Sequence, residues 1–353
     1  MTSRAAVLPL FVPHWGCPWQ CVFCNQNRIS GAERPATAAD VDKIIEDAAA
    51  LPRNGAKRQL AFYGGSFTAI PVREQEELLA AARRHIDAGA ITSIRLSTRP
   101  DAIDESVLAR LKRYGVETVE LGAQSMDDEV LRRSGRGHTA AQVEQAARLV
   151  KAAGFTLILQ MMTGLPGATD ESDVETARRL IALQPDGVRI YPTVIVRDTA
   201  LYELWKRGAY REHTVEDAVR VCAQLLPLFD AAGIPVIRLG LNPTEELSAG
   251  AAVAGAYHPA LGELVRSRIL LNEARQLLHG VEPGSAVTLS VPPAQLSQMI
   301  GQHRQNLEQL MREFSLSDLR VRPNSGKNGE IQTVDKPMRQ GFDSHGEIVK
   351  RGR

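Results

Sequence analysis

The sequence predicts an α/β fold with two parts, a full or partial (β/α) barrel and a small C-terminal α+β domain. From residue 7 to about residue 240, short apolar or β-branched runs alternate with longer amphipathic stretches. Repeated strand-then-helix units of this kind form a parallel sheet covered by helices. After residue 286 the pattern changes to one strand, two helices joined by a tight turn, and two further strands.

The barrel prediction rests on the number and length of the apolar runs. Each run is too short for a helix, and the seven predicted strands are residues 7–12, 60–63, 94–97, 118–122, 156–161, 187–191 and 236–239. The amphipathic stretches between them are predicted helices, at residues 38–51, 74–88, 105–114, 140–153, 171–183 and 215–232. Seven strands are too many for a bare mononucleotide-binding unit and suit a barrel, in which the chemistry lies at the C-terminal ends of the strands.

Changes in composition divide the chain into four predicted segments. The barrel covers residues 1–240, and a helical connector that contains a run of small residues covers 241–285. The small domain covers residues 286–335, with Asn328-Gly329 as a hairpin turn between its last two strands. Residues 336–353 are polar and are predicted to form a flexible tail.

Composition excludes several classes of protein. The chain has 353 residues, of which 44% are hydrophobic, and a net charge of +1. It can therefore bury a sizeable core, but as a whole it is not a polybasic nucleic-acid binder. No stretch approaches the roughly 20 apolar residues of a membrane span, and the N-terminus is too short in its apolar part for a signal peptide. We therefore predict a cytoplasmic protein without a membrane partner, whose basic residues after residue 301 offer a local surface to a polyanion.

Three of the four cysteines, Cys17, Cys21 and Cys24, lie within eight residues in a C-x3-C-x2-C pattern. Clustered cysteines without a secretion signal indicate a metal site rather than disulfides. A [4Fe–4S] cluster normally takes one thiolate on each iron, so three thiolates would leave one iron open to a small molecule. Two alternatives stay open: a structural zinc site with His14 as fourth ligand, or reduced thiols that bind nothing.

Four further loops follow predicted strands and so share the barrel face with the cysteines. They are residues 64–67, 97–101, 120–125 and 161–167. Three of these features have a structural alternative, counting Tyr191 at the end of the sixth predicted strand: the glycine pair can be a simple turn, Arg99 can pair with Asp101 or Asp104, and Tyr191 can pack rather than line the pocket. The predicted catalytic residues are Arg99, Glu120, Gln124 and Tyr191. The predicted cofactor contacts are Gly64, Gly65, Ser66, Thr98, Gly164, Leu165 and Pro166.

Taken together, these motifs resemble the radical S-adenosylmethionine (AdoMet) superfamily. The resemblance implies that the three cysteines hold a [4Fe–4S] cluster, and Phe23 matches the aromatic residue that the family prefers before the last cysteine. It also implies that AdoMet is a cofactor, with its amine at Gly64-Gly65 and its adenine at the loop that contains Gly164. The expected electron donor is a protein of the flavodoxin or ferredoxin type.

Within the superfamily, residues 8–240 resemble the catalytic subunit of Elongator, which modifies the wobble uridine of tRNA. The resemblance implies an RNA partner, with tRNA as the expected substrate. There are two departures: the cysteine spacing is the shorter, ordinary superfamily form, and the chain leaves no room for the acetyltransferase domain of those subunits. Short bacterial relatives without that domain are also similar, so the carbon donor stays open. The resembling segments are residues 64–68, 98–101, 120–125, 136–139, 186–193 and 199–206.

Residues 291–304 resemble a KH domain around its GXXG loop, which binds the backbone of single-stranded nucleic acid. The predicted RNA contacts are Gly301, Gln302, His303 and Arg304. Arg304 stands where the motif has its second glycine. This either adds a phosphate contact or marks a fold that is used only for packing.

The sequence supports three functional hypotheses. The first is an RNA-modifying radical AdoMet enzyme, in which AdoMet cleavage at the cluster yields a 5′-deoxyadenosyl radical and the C-terminal domain presents the RNA. The second is a radical AdoMet enzyme for a small molecule such as a porphyrinogen, with a structural C-terminal domain. The third is an RNA-binding protein whose iron–sulfur cluster has a structural or redox-sensing role. The sequence decides neither the modified atom nor the oligomeric state.

Overall fold

The computed structural model describes residues 6–12, 19–25, 34–50, 57–241, 250–324 and 332–334. The chain forms two compact units, Met1–Leu261 and Gly262–Arg353. A seven-stranded sheet and a two-stranded sheet belong to the first unit, and a three-stranded sheet belongs to the second.

The seven-stranded sheet of the first unit is entirely parallel. Each strand pairs with the next strand of this sheet along the chain, so the sheet winds in one direction, as a barrel does. Among the described residues the first and last strands do not pair with each other, which confirms the partial form of the predicted barrel. The strands are β1 (Ala6–Val12), β2 (Arg58–Gly64), β3 (Ser93–Thr98), β4 (Val116–Gln124), β5 (Thr156–Thr163), β6 (Gly187–Pro192) and β8 (Val236–Leu239).

Amphipathic helices follow these strands and bury their apolar sides. They are α1 (Ala38–Ala49), α2 (Val72–Asp87), α3 (Glu105–Arg113), α4 (Asp128–Arg133), α5 (Ala140–Ala152), α6 (Asp170–Ala182), α7 (Ala200–Lys206) and α8 (Val215–Ala231). In α2, for example, Leu78, Leu79 and Ala82 recur at the helical spacing of three to four and are buried. Thr139 and Thr169 begin α5 and α6 with capping boxes, which satisfy backbone N–H groups of the first turn. None of the helices that the structure describes has both the length and the apolar character needed to cross a membrane.

Strands in the middle of the sheet are buried on both faces. In β5 the consecutive residues Leu157, Ile158 and Leu159 are all buried, as is typical of parallel strands covered on both sides. A polar side chain on such a strand needs a hydrogen-bond partner inside the protein. Glu120 on β4 is a residue of this kind.

A short antiparallel pair extends the first unit beyond residue 240. Its strands are β7 (Val194–Val196) and β9 (Ala252–Gly255). Gly255 has φ of +92°, and a Cβ at this position would lie 2.9 Å from the Thr193 carbonyl oxygen, so the pairing requires glycine. β9 therefore places part of the predicted connector, residues 241–285, in the first unit.

Residues 262–285 of that predicted connector belong to the second unit. Helix α9 (Leu261–Leu278) buries four residues, Leu270, Leu271, Ala274 and Leu278, in the same core as Leu289. The other elements are β10 (Ala286–Val291), α10 (Leu296–Ile300), α11 (Gln305–Glu313), β11 (Asp318–Pro323) and β12 (Gln332–Val334). β10 is central, parallel to β11 and antiparallel to β12. From β10 onward the order of elements is the predicted one, and the predicted tail, residues 336–353, lies outside the described residues.

Candidate active site

A cavity of about 320 Å³ opens in the first unit where the parallel strands end. Residues that are far apart in the sequence meet at this edge, because every parallel strand presents its C-terminal end there. The predicted site residues that line the cavity are Cys21, Cys24, Gly64, Gly65, Ser66, Thr98, Arg99, Glu120, Gln124 and Tyr191. The other predicted cofactor contacts, Gly164, Leu165 and Pro166, line a second cavity.

Two of the clustered cysteines lie in one tight turn at the first cavity. The Cys24 backbone N–H donates to the Cys21 carbonyl at 3.0 Å. Cys21 is buried and Cys24 is partly buried. The Val22 N–H donates to the Ser134 carbonyl at 3.0 Å, so the turn is fixed to the segment that follows α4.

The side chains of Cys21 and Cys24 offer sulfur atoms as metal ligands. The described residues contain no group of three histidine, cysteine or carboxylate side chains placed to hold a metal ion. Cys17, the third predicted cluster ligand, and His14, the alternative zinc ligand, lie outside the described residues. Thiolates are the ligands of iron–sulfur clusters, so Cys21 and Cys24 fit such a cluster as two of its ligands.

Arg136 lies beside the cysteine turn and is missing from the predicted site residues. Its Nη1 atom is 3.4 Å from Cys21 Sγ, and its Nη2 atom donates to the Gly122 carbonyl at 2.6 Å. Arg136 is 7% exposed. The guanidinium therefore connects the cysteine turn to the end of β4.

The glycine pair forms the turn that ends β2. Gly64 has φ of +102°, in the region that favours glycine. Gly65 donates its backbone N–H to the Val12 carbonyl at 2.7 Å, which fixes the turn to the end of β1. Both glycines line the cavity, so the turn is also part of its wall.

Hydroxyl groups join the loops after β2 and β3. Ser66 Oγ lies 3.0 Å and Thr68 Oγ1 lies 2.5 Å from Thr98 Oγ1, and all three residues are buried. Ser66 Oγ also accepts the Arg99 backbone N–H at 3.0 Å. The predicted cofactor contacts Ser66 and Thr98 therefore hold two walls of the cavity together.

Arg99 is paired with a carboxylate of the same loop. Its Nε and Nη2 atoms lie 2.9 and 3.1 Å from the two carboxylate oxygens of Asp101, and its guanidinium also donates to the Arg136 carbonyl. Asp104, the other partner considered, instead caps α3 by accepting the Val107 N–H at 2.8 Å. Arg99 thus lines the cavity in an ion pair, and its catalytic role stays a prediction.

Glu120 is the centre of a buried polar network beneath the strand ends. Its carboxylate oxygens lie 2.7 Å from Arg189 Nε and 3.2 Å from Arg95 Nε. Tyr63 donates its hydroxyl to Glu120 at 2.9 Å and accepts from Arg189 Nη2 at 2.9 Å. Burial, with the Glu120 charge as the second cause, raises the pKa of Tyr63 above its ordinary value, so the phenol stays protonated as a donor. Two guanidiniums and one carboxylate leave the network with a surplus positive charge.

Gln124 ends β4 in a left-handed conformation, with φ of +66°. The register between β4 and β5 shifts between Gly122 and Gln124, and a bulge of this kind redirects a side chain. Gln160 Nε2 lies 3.4 Å from Gln124 Oε1. Tyr191 joins the polar network, because its hydroxyl accepts from Arg189 Nη1 at 3.4 Å.

The loop after β5 lines the second cavity, of about 630 Å³. The Gly164 N–H donates to Asp173 Oδ2 at 3.0 Å, and the Gly164 carbonyl accepts the Tyr210 hydroxyl at 2.6 Å. Both backbone groups of Gly164 are therefore used within the protein. Burial raises the pKa of Asp173 to about 7. An adenine contact by Gly164, Leu165 and Pro166 stays a prediction.

His213 explains why residue 164 is a glycine. A Cβ at Gly164 would lie 2.1 Å from the His213 ring, and His213 Nε2 is 3.1 Å from Thr163 Oγ1. Burial lowers the pKa of His213 to about 4. The ring is therefore neutral at pH 7 and packs directly on the loop.

Sequence reasoning missed Tyr63, Arg95, Arg136 and Arg189. For Arg95 and Arg189 a signal is present, because each is a charged residue inside an otherwise apolar predicted strand, at residues 94–97 and 187–191. A buried charge needs a partner, and Glu120 is a residue of the same kind. Arg136 follows α4 in a loop and gives no signal of this kind.

The turn from Gly301 to Arg304 joins α10 to α11 in the second unit. His303 and Arg304 have φ of +49° and +64°, a conformation that costs a residue with a Cβ roughly 1–2 kcal/mol. Both side chains are exposed. A Cβ on Gly301 would lie 2.8 Å from the Asn306 side chain. The turn thus presents an imidazole and a guanidinium to solvent before α11.

Two family models match the chain in succession. Residues 12–180 match the Radical SAM superfamily, and residues 185–270 match the Radical_SAM C-terminal domain. The chain belongs to the radical SAM superfamily. Members of this superfamily use a [4Fe–4S] cluster and AdoMet, which confirms the predicted family and cofactors.

Within the superfamily the chain is similar to Elongator complex protein 3. It is 33% identical to the human protein over 179 residues, which are 50% of this chain and 32% of that one. It is 29% identical over 198 residues to the tRNA uridine(34) acetyltransferase of Methanocaldococcus infernus, covering 55% of this chain and 37% of that one. The chain thus spans about a third of the length of these relatives.

The fold is shared with a solved structure. The archaeal M. infernus Elp3 with an N-terminal deletion (1–46) matches with a TM-score of 0.59 and 23% identity, over 76% of this chain and 63% of that chain. The predicted resemblance to Elongator is confirmed by these comparisons.

Proposed function

We propose that this protein is a radical SAM enzyme that modifies RNA, with the wobble uridine of tRNA as its target. The observation that carries the proposal is the cavity at the strand ends, which brings Cys21 and Cys24 together with most of the predicted cofactor and catalytic residues. The similarity to a tRNA uridine(34) acetyltransferase supports RNA as the substrate.

The cofactors would occupy this cavity. Cys17, Cys21 and Cys24 would hold the [4Fe–4S] cluster. When bound, the cluster and AdoMet supply reductive cleavage of AdoMet to methionine and a 5′-deoxyadenosyl radical. The Gly64-Gly65 turn, which lines the cavity, would bind the methionine end of AdoMet.

The polar network beneath the strand ends would hold in place the side chains that contact the substrate. Glu120 is held by two arginines and Tyr63, so we assign it an orienting role rather than a proton-transfer role. Gln124 and Tyr191 also line the cavity and are the proposed contacts to the reacting molecules. Arg99 would join the loops around them.

The second unit would contact the RNA backbone through the turn from Gly301 to Arg304. His303 and Arg304 are exposed, and phosphate binding favours such side chains next to a helix N-terminus. A one-electron donor of the flavodoxin or ferredoxin type would reduce the cluster. We propose the cytoplasm as the place of action.

The test of the proposed function is mass spectrometry of nucleosides from bulk tRNA. Full-length reconstituted protein is incubated anaerobically with tRNA, AdoMet and dithionite, with the low-molecular-weight fraction of a cell extract as carbon donor. We expect a modified uridine at the wobble position with the wild-type protein and none with Cys24→Ala. Consumption of AdoMet with no change in any tRNA nucleoside would contradict an RNA substrate and favour a small molecule.

The role of the turn is tested separately by tRNA affinity. Arg304→Glu reverses a charge in the turn, and Arg320→Glu makes the same change at an exposed position of β11. We expect the dissociation constant for tRNA to rise about tenfold for Arg304→Glu, because one phosphate contact is lost, and much less for Arg320→Glu. Equal effects of the two variants would mean that the turn makes no specific contact.

A further inference from the structure

The segment of residues 134–137 is built against the cysteine turn. Gly135 has φ of +65°, and a Cβ there would lie 3.0 Å from the Gln20 carbonyl oxygen. Gly137 has φ of +72°, and a Cβ there would lie 2.2 Å from the Trp19 ring. Glycine on both sides of Arg136 thus lets the backbone approach the turn closely. The Val22–Ser134 hydrogen bond, at 3.0 Å, fixes the two segments to each other.

Arg136 is held in this segment by contacts at both ends of the residue. Its backbone N–H donates to the Leu131 carbonyl at 3.0 Å, and its carbonyl accepts from the Arg99 guanidinium. Its side chain donates to Gly122 at 2.6 Å and lies 3.4 Å from Cys21 Sγ. The guanidinium therefore has little freedom to turn away from the sulfur.

Among the residues that the structure describes, no carboxylate neutralises the positive charge of Arg136. Within the described part of the chain no Asp or Glu oxygen lies within 4.0 Å of its guanidinium, and its buried Nε atom has no hydrogen-bond partner. The neighbouring Arg99 is paired with Asp101. An uncompensated buried charge is costly, so a negatively charged group beside Arg136 would be stabilised. Cys21 Sγ, which lies 3.4 Å from Nη1, would carry such a charge as a thiolate.

We propose that Arg136 tunes the cluster: its Nη1–H donates to the Cys21 thiolate, and its positive charge raises the reduction potential of the cluster. The proposal rests on the proposed function, because it requires a cluster on Cys21. Reduction transfers one electron from an external one-electron reductant to the cluster, which becomes more negative by one unit. Hydrogen bonds to cluster sulfurs and nearby positive charge favour the more negative state. Arg136 thus acts through the cysteine and is a positioning residue, not a catalytic one.

The test is a reductive titration of the reconstituted full-length protein, without AdoMet or RNA, followed by the electron paramagnetic resonance signal of the reduced cluster. Omitting AdoMet separates the effect on the cluster from any effect on cofactor binding. The variants are Arg136→Gln, which removes the charge and keeps an amide donor, and Arg136→Lys, which keeps the charge. The control is Arg132→Gln, an exposed residue of α4 whose partner is Glu129.

We expect the ratio of reduced to oxidised cluster at a fixed potential to fall about tenfold in Arg136→Gln, which is about 59 mV for a one-electron couple. Arg136→Lys should stay within about threefold of the wild-type ratio, and Arg132→Gln should equal it. An unchanged midpoint in Arg136→Gln would overturn the proposal. A second outcome would also overturn it: both Arg136 variants lose the same amount of iron, and the cluster that remains has an unchanged midpoint potential. That result would mean that Arg136 only packs against the cysteine turn.

The same experiment keeps this proposal distinct from the proposed function. If the wild-type protein takes up no cluster, the proposed function fails and this inference fails with it. If the wild-type protein takes up a cluster and the Arg136→Gln midpoint is unchanged, only the inference fails.

Discussion

The strand-end cavity of the first unit and the turn from Gly301 to Arg304 in the second unit are both predicted to contact the reacting molecules, but they are built differently. The cavity is lined by buried side chains from several strands, and its polar groups share partners, as Glu120 does with Arg95 and Arg189. The turn is exposed and held by local backbone geometry. A substitution in the cavity therefore removes several contacts at once, whereas one in the turn changes a single conformation or charge.

The largest difference between the two regions is expected at the cysteine turn. Cys21→Ala should abolish cluster binding and AdoMet cleavage, because the lost thiolate has no substitute among the described side chains. The matched control is Cys222→Ala, a fully buried cysteine of α8. It should keep its iron and lose only about 1 kcal/mol of stability. Iron analysis of the reconstituted proteins checks both; full iron in Cys21→Ala would show that this residue is not a ligand.

The polar network should give the next largest effect. Glu120→Gln leaves Arg95 and Arg189, which are 13% and 15% exposed, without their carboxylate. Removing one partner of a buried ion pair costs about 4 kcal/mol, and urea unfolding of the protein measures this. Glu129→Gln, which breaks exposed pairs with Arg132 and Arg133, should leave the free energy of unfolding unchanged. Similar values for the two variants would mean that the network is not a buried unit.

Asp173 should make stability depend on pH. Burial raises its folded-state pKa to about 7 from the ordinary aspartate value of 3.8. The folded protein thus keeps a proton that the unfolded chain loses, and stability is lost as pH rises from about 4 to about 7. Asp173→Asn removes this loss while retaining an acceptor for the Gly164 N–H.

The measurement is urea unfolding of the wild-type and Asp173→Asn proteins at pH 5 and pH 7. The wild-type free energy of unfolding, relative to the variant, should fall by about 2 kcal/mol over this interval. Titration of His213 and other groups common to both proteins cancels in the difference. A difference that does not change with pH would show that Asp173 is ionised in the folded protein throughout.

The smallest effect is expected in the turn. Arg304→Gly should raise the free energy of unfolding by about 0.5 kcal/mol. Glycine adopts the left-handed conformation, with φ of +64°, without the strain of a Cβ, and this gain exceeds the conformational entropy that glycine loses on folding. Gln302→Gly, at a neighbouring residue of the turn whose φ is not positive, should instead lower the free energy of unfolding by about 0.5 kcal/mol. Urea unfolding compares the two variants. A loss of stability in Arg304→Gly would mean that the arginine side chain makes stabilising contacts.

The strands that build the cavity were predictable from the sequence, and the short pair outside the sheet was not. The predicted strands 118–122 and 156–161 lie within β4 and β5, because buried parallel strands read as apolar runs. β7 and β9 have three and four residues, and their pairing joins positions that are far apart in the chain. β9 consists of Ala, Val, Ala and Gly, so its sequence cannot be told from a connector of small residues.

The same distinction holds for the site. Residues such as Gly64 and Thr98 were predictable, because the ends of parallel strands meet at one edge. Gly164 also follows a predicted strand, but it lines a different cavity. Its backbone N–H and carbonyl are hydrogen-bonded to Asp173 and Tyr210, which the sequence pattern does not indicate. Arg136 depends on how one loop packs on another, and no periodicity in the sequence reports such a contact.

The most direct test of the central claim is anaerobic formation of 5′-deoxyadenosine by the reconstituted full-length protein, with AdoMet and dithionite, in the presence and absence of bulk tRNA. The account predicts formation that rises several-fold with tRNA and is absent in Cys21→Ala. Formation that is the same with and without tRNA would contradict an RNA substrate and keep the radical chemistry. No formation by a protein that carries its cluster would contradict the radical chemistry itself.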